Sequence, residues 1–310
     1  MKKFLKLSAV ILAAFVVLIG AYTAYIVHSV DTVNMPAQHG KAEVKLFMPK
    51  DDVALVTGAP KPARPLIVGL GGAEGGNGWA RDRWKNERNK FIDDGYAFLA
   101  LGYFGTPGTP QKLDRIALEG VHAAIMQAAR DPAIDSRCIV LMGGSKGAEL
   151  ALLLASRYPD IKAVVALAPA NAVFVGITDA LTTSSFSHNG AALPFVPFPW
   201  SATLPLIKGD KRKVFDLMIE DKAAVNAALI PVEKINGPVF LISGTRDEYW
   251  AATEMSDAMI TRLKDKRFLH AFEHLAIEGD HAVPIKHLDR ARTFLNTHFK
   301  PGVMNGCQRG

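Results

Sequence analysis

Three residues between the middle and the C-terminal end of the chain have the types and the order that nucleophilic acyl chemistry needs: Ser145, Asp247 and His281. Ser145 stands in Gly143-Gly144-Ser145-Lys146-Gly147, a G-x-S-x-G pattern. An apolar stretch, Cys138–Met142, precedes it. A run of small and apolar residues, Lys146–Ser156, follows, so the serine falls at a strand-to-helix turn. Such a turn needs glycine on both sides, because side chains there would strike the crossing strand and helix. It presents the hydroxyl at the end of a sheet, over the positive end of a helix. The competing reading makes Ser145 only the N-cap of that helix.

A serine hydroxyl is a weak nucleophile until a positioned base takes its proton, and a third group must orient that base. Of nine histidines, His281 has the right setting, in the loop Glu278-Gly279-Asp280-His281 between a strand, Phe268–Ile277, and a final helix. His270 and His274 fall inside that strand, His122 and His287 fall on helices, and His188, in an irregular insert, is the rival. The acid should follow the preceding strand, Val239–Ser243, which points to Asp247, with Glu248 and Asp280 as alternatives. An Asp capping the next helix is the plainer reading of Asp247. The oxyanion needs two N–H donors. One is expected from Lys146. The other is expected from the loop Gly71-Gly72-Ala73-Glu74-Gly75-Gly76, with Ala73 first and Gly72 next. That loop lacks the third glycine of a dinucleotide fingerprint, since position 74 is Glu, and no Gly-Lys-Ser/Thr follows it. No metal and no cofactor are expected.

The elements that must hold these residues alternate. Strands are expected at 66–70, 96–101, 138–142, 163–167, 239–243 and 269–277, with helices at 80–93, 113–129, 146–156, 211–229, 251–264 and 284–298. Strands apolar throughout, separated by helices, imply a mostly parallel sheet covered on both faces, an α/β class. Residues 171–209 break the rhythm with Ser, Thr, Pro and aromatics, and read as a lid insertion. Phe195, Phe198 and Trp200 within it could line an acyl-binding site or simply pack the insert down. Lys208, Lys211, Arg212 and Lys213 could meet phosphates or form a solvated helix start.

The 310 residues carry 36 Lys+Arg against 30 Asp+Glu, a net charge of +6. Lys2, Lys3 and Lys6 account for half of that excess. No nucleic-acid-binding motif is present, so no nucleic-acid partner is expected. The three lysines flank Leu7–Val27, 21 residues without a charge, long enough at about 1.5 Å per residue to cross a bilayer. Residues 1–30 are therefore expected to be a membrane anchor with a cytoplasmic N-terminus and the remaining chain outside the cytoplasm. A cleaved signal, giving a secreted or periplasmic protein, is the alternative. Residues 31–60 read as a linker and a short hairpin, 41–48 with 53–57. Residues 61–300 read as the catalytic domain and 301–310 as a flexible tail. Of the two cysteines, Cys138 opens an apolar strand and Cys307 sits in the tail, and no disulfide between them is expected.

These stretches resemble the C-terminal catalytic domain shared by acyl-CoA thioester hydrolases and bile-acid-CoA:amino-acid N-acyltransferases, within the α/β-hydrolase fold. The likeness rests on Leu70–Gly76, Ala97–Gly105, Gly144–Ser156, Ile161–Ala166, Leu193–Pro197 and Ile242–Trp250 with Glu254–Ser256. It implies Ser145 as nucleophile, Asp247 as acid and His281 as base. The acyltransferase members use cysteine, so serine here favours hydrolysis over transfer to an amine. The resulting expectation is a serine hydrolase of acyl thioesters or esters. The alternatives are a carboxylesterase or dienelactone-hydrolase-like enzyme, an N-acyltransferase, and a non-catalytic anchored binding module.

Overall fold

The structure is a computed structural model, and it describes residues 2–31, 42–49, 63–299 and 307. In helix α1, Lys2–Asp31, the side chains described are those at positions 6, 8 and 10–22.

Seven strands form the central sheet: β1 (Glu43–Phe47), β2 (Arg64–Leu70), β3 (Ala97–Gly102), β5 (Ile134–Gly144), β6 (Ile161–Leu167), β9 (Val239–Gly244) and β10 (Phe272–Ile277). Their order is β1-β3-β2-β5-β6-β9-β10. All neighbours are parallel except β1, which adds antiparallel to the β3 edge. Of the hairpin expected within 31–60, the first strand is described, at the edge of the sheet. Strand β1 hydrogen-bonds to β3, from Glu43 opposite Gly102 to Phe47 opposite Phe98, because the β3 edge offers a free ladder. Residues 53–57 lie outside the described residues.

Successive side chains of a strand point to opposite faces, so an apolar strand feeds two cores. Leu66, Val68 and Leu70 join one core, with Leu141, Val164 and Leu241. Helices α3 (Leu118–Ala128), α4 (Lys146–Ala155) and α8 (Ala252–Asp265) cover that side. Ile67, Phe98, Val140, Val165 and Phe240 join the other, under α2 (Lys85–Asp93) and α9 (Leu288–His298). The apolar strands and the intervening helices thus produce the three-layer arrangement that their sequences imply.

Boundaries shift where local chemistry intervenes. Two 3₁₀ turns, Gly78–Ala80 and Asp82–Trp84, precede α2, so the helix begins later than expected. Ile116–Ala117 is a short strand, β4, that pairs with β7 (Phe186–His188), which in turn pairs with β8 (Ala191–Ala192). This side sheet takes the first residues of what reads as one helix over 113–129, and it gives the 171–209 insert an ordered base. Beyond it lie α5 (Thr203–Ile207), α6 (Lys211–Met218) and α7 (Lys222–Ala228). Asp210 and Asp221 cap α6 and α7 by accepting from Lys213 N and Ala224 N, which divides the expected single helix.

The described side chains of α1 from Val10 to Tyr22 are exposed. Among the described residues, which include the side chains of only part of the Leu7–Val27 run, no helix is long and apolar enough to cross a membrane, so the structure lends the expected anchor no support.

The expectation of unpaired cysteines is corrected. Cys138, at the buried start of the apolar part of β5, is bonded to Cys307, with their Cα atoms 5.5 Å apart. Cys307 is placed by its N–H, which donates to Phe299 O at 2.8 Å beyond the end of α9. The bridge spans a sequence separation of 169 residues. Bridges of this kind contribute about 2–5 kcal/mol, chiefly by restricting the unfolded chain. The Cys307→Ser variant should therefore melt several degrees lower than wild type, and non-reduced, denatured wild type should show no thiol in an Ellman titration. Two titratable thiols in wild type would overturn the pairing.

Candidate active site

Ser145 is the residue between β5 and α4, with φ 57° and ψ −122°. A positive φ is costly for any residue with a Cβ, by about 1–3 kcal/mol, and persists only where the surroundings enforce it. They do so here through close backbone packing. A Cβ on Gly143 would collide with the Gly147 carbonyl, and one on Gly147 would collide with the carbonyls of Leu70 and Gly71. Ser145 N–H donates to Leu167 O at 2.8 Å, pinning the turn to the end of β6. The Ser145 side chain makes no cap hydrogen bond to α4, which leaves the plain N-cap reading without support.

His281 follows β10 and Asp247 follows β9, and the structure brings the two together. His281 Nδ1 lies 2.7 Å from Asp247 Oδ2. Asp247 is 3% exposed, and its other oxygen accepts from Tyr249 N at 2.8 Å and Trp250 N at 3.2 Å. A carboxylate held this way accepts Nδ1–H and leaves Nε2 as the basic nitrogen. The Tyr249 ring stacks on the imidazole at 4.5 Å, and Trp250 meets it edge-on at 4.8 Å. Glu248, the alternative acid, instead accepts from the His281 backbone N–H at 2.9 Å. Asp280 accepts from Ala282 N. His188, the rival base, lies in β7 with its ring edge toward Tyr158.

Ser145 and His281 line one cleft of about 220 Å³, and no direct hydrogen bond joins them. Gly72 lines the same cleft and packs against the β5–α4 turn, a Cβ on it falling 3.2 Å from Ser145 Cβ. Ala73 is exposed and stands outside the lining, so of the two loop donors expected from sequence, Gly72 is the one the structure brings to the serine. Lys146 is the first residue of α4, and its N–H has no intrahelical acceptor. The expectation for the insert aromatics is corrected. Phe195 and Phe198 pack against the sheet core, Trp200 is 85% exposed, and none of the three lines the cleft. The apolar walls come from residues the sequence reading passed over: Leu70, Trp79, Trp84, Leu167, Pro284 and Ile285. Among the described residues, no group of His, Cys, Asp and Glu is arranged to hold a metal ion.

The family model described as BAAT / Acyl-CoA thioester hydrolase C terminal matches residues 116–283, a span that contains Ser145, Asp247 and His281. The chain belongs to this family. It is 23% identical over 238 residues to the peroxisomal succinyl-coenzyme A thioesterase of Mus musculus, and 26% identical over 232 residues to acyl-coenzyme A thioesterase 6 of the same organism. Each alignment covers 74% of this chain and 49% of the relative, so the chain spans about half the length of the curated relatives it matches. Among solved structures, an acylaminoacyl peptidase of Pyrococcus horikoshii superposes with a TM-score of 0.56 at 14% identity, over 87% of this chain and 41% of that one. A puromycin-hydrolyzing peptidase of Mycobacterium tuberculosis gives 0.54 at 16%, over 81% and 35%. At these identities the likeness is one of fold, and with the mostly parallel sheet it places the domain in the α/β-hydrolase fold.

One group beside the serine escaped the sequence reading. The Lys146 side chain runs away from the cleft and is buried. Its Nζ meets Glu149 Oε2 at 2.9 Å and Ser185 Oγ at 2.8 Å. Glu149 Oε1 accepts from Phe174 N at 3.1 Å, and the Ser185 hydroxyl donates to Phe174 O at 2.9 Å. Desolvation lowers the Lys146 pKa and raises that of Glu149, each opposed by the attraction of its partner. The helical i, i+3 spacing of Lys146 and Glu149 signals the pair; only the fold shows that it ties the insert to α4. Removing one partner of a buried pair strands the other charge, at a cost of about 3–5 kcal/mol. Glu149→Ala should therefore lower the denaturation midpoint strongly. The double variant Lys146→Met, Glu149→Leu should recover most of the loss, because it leaves no buried charge. Equal destabilisation by the single and double variants would contradict this account.

Proposed function

We propose that the protein is a serine hydrolase acting on acyl thioesters or esters. The observation that carries the reading is the strained Ser145 at the β5–α4 turn, sharing a cleft with His281 while buried Asp247 holds His281 Nδ1 at 2.7 Å. Ser145 Oγ attacks the acyl carbonyl as His281 Nε2 takes its proton. The Ser145–His281 hydrogen bond closes with substrate in place, as general-base contacts commonly do. The N–H groups of Lys146 and Gly72 face the developing oxyanion, each such donor contributing about 3–4 kcal/mol. His281 then protonates the leaving thiol or alcohol, and water attacks the acyl-enzyme by the same route. Family membership and the thioesterase relatives support an acyl thioester substrate. An oxygen-ester substrate is the second reading, favoured if the domain lies outside the cytoplasm, where free coenzyme A thioesters are scarce.

We also infer that the Leu7–Val27 run anchors the chain in a membrane with the hydrolase domain outside the cytoplasm. The uncharged run with three lysines before it supports this reading, as does the Cys138–Cys307 bridge, since disulfides persist in oxidising compartments. A signal segment cleaved after export is compatible with the same bridge.

Three outcomes are expected. A fluorophosphonate probe should label wild type and leave Ser145→Ala unlabelled; equal labelling of both would exclude Ser145 as nucleophile. Asp247→Asn should fold and reduce kcat by about 10⁴-fold, because it stabilises the wrong imidazole tautomer. Rates on acyl-CoA against p-nitrophenyl esters then decide the leaving group. Finally, the full chain should stay with membranes through alkaline carbonate extraction, and an alkaline phosphatase fusion at the C-terminus should be active in the exporting host. An inactive fusion would overturn the topology.

A further inference from the structure

Apart from His281, one ionisable side chain lines the cleft, that of Glu74. Its carboxylate lies over three glycines. A Cβ built on Gly72 would stand 2.9 Å from Oε2, and one on Gly71 or Gly78 would stand 3.4 or 3.2 Å from Oε1. The backbone is thus bare where the carboxylate rests. The position built on Gly72 is also 3.2 Å from Ser145 Cβ, so carboxylate and nucleophile flank the same glycine. Among the described residues, Glu74 has no hydrogen-bond or ion-pair partner, and both its oxygens have lone pairs to offer. Tyr103 supports the loop from below, its hydroxyl donating to Gly71 O at 2.9 Å. Burial above all, then the charges of Glu74 and Glu149, pushes the Tyr103 phenol well above its usual value, so it remains a neutral donor. The remaining lining side chains are chiefly apolar, among them Trp79, Trp84, Leu167, Pro284 and Ile285.

We propose that Glu74 makes this cleft selective for a substrate arm with an apolar body and an amine end, and that it rejects arms ending in a carboxylate. An ammonium there forms a charge-assisted hydrogen bond with a carboxylate that otherwise has none. It also offsets the repulsion between Glu74 and the oxyanion that forms beside Gly72. A second carboxylate would face the Glu74 anion across the cleft; Glu74 is exposed, so solvent weakens this repulsion but does not remove it, and binding is disfavoured. The inference rests on Ser145 as the nucleophile for its catalytic consequence, and on the cleft alone for its binding consequence.

The test has two arms, both on the full chain. In the first, the fluorescence of Trp79 and Trp84 follows titration with hexylamine, hexanol and hexanoate at neutral pH, in wild type and in Glu74→Gln. Wild type should bind hexylamine about tenfold more tightly than hexanoate, a difference of about 1.4 kcal/mol. Glu74→Gln should bring the two within about twofold. The same ratio in both proteins, or no response of wild type to hexylamine, overturns the proposal. In the second arm, wild type should show a higher kcat/KM for p-nitrophenyl 6-aminohexanoate than for mono-p-nitrophenyl adipate, and Glu74→Gln should lose that preference. If neither ester turns over while the fluorescence ratio depends on Glu74, the hydrolase reading fails and the cleft assignment stands. If esters turn over with no preference that depends on Glu74, the cleft assignment fails alone.

Discussion

Three stretches of backbone converge on the β5–α4 turn with no room for a side chain between them. Gly143 stands against the carbonyl of Gly147, and Gly147 stands against the carbonyls of Leu70 and Gly71. This steric limit fixes the rest of the site. It forces Ser145 into a positive φ, lifts its hydroxyl to the rim of the sheet, and brings the β2 loop alongside through Gly72. The strain of about 1–3 kcal/mol is sustained by what surrounds it. Strands β2, β5 and β6 are buried on both faces, and relaxing the turn would require moving one of them within a close-packed interior.

Asp247 and His281 are placed by the same logic of parallel strands ending together. Strands β9 and β10 pair in register to their last residues, with Ser243 opposite Ala276 and Gly244 opposite Ile277. Their loops then continue side by side: Thr245 N–H donates to Ile277 O, and Arg246 N–H to Gly279 O. Gly244 is bare where the Asp280 carbonyl passes, which lets the two loops close on each other. Asp247 and His281 are thus brought to a 2.7 Å contact by backbone ladders before their side chains contribute anything. Tyr249 serves twice in this arrangement. Its N–H orients the carboxylate, and its ring limits rotation of the imidazole.

What could be read from the sequence follows from how local each determinant is. Val239–Ser243 and Ala163–Leu167 are apolar at every position, so their place inside a covered parallel sheet depends on nothing distant. The order Ser145, Asp247, His281 is likewise tied to strand ends that periodicity marks. Determinants that depend on remote partners could not be read in this way. Cys307 lies eight residues past Phe299, and only the return of its N–H to the Phe299 carbonyl sets it against Cys138. Ile116–Ala117 carries a helical pattern and is claimed by β7, some seventy residues on. Phe195 and Phe198 are apolar by type, and type does not tell whether an aromatic faces a cleft or a core. The Gly-rich loop after β2 shows the intermediate case. Its glycines mark a close backbone approach, while which residue makes that approach, Gly72 rather than Ala73, depends on the third dimension.

The position of the insert follows from Lys146, the residue after Ser145. The backbone of Lys146 opens α4 at the mouth of the cleft, and its side chain turns the other way, into a dry pocket shared with Glu149 and Ser185. Besides meeting the ammonium, Glu149 and Ser185 both bond the Phe174–Val175 segment, and Lys146 Nζ itself donates to Val175 O. An ammonium in that pocket has no solvent to return to, so releasing the segment would require breaking the pair or flooding it with water. Residues 171–188 are consequently built into the wall behind the serine, on the α4 side of the sheet. The walls of the cleft come instead from the β2 loop and the segment leading into α9. That division explains why the aromatics of the insert lie away from the cleft, and why Trp79, Trp84 and Ile285 line it in their place.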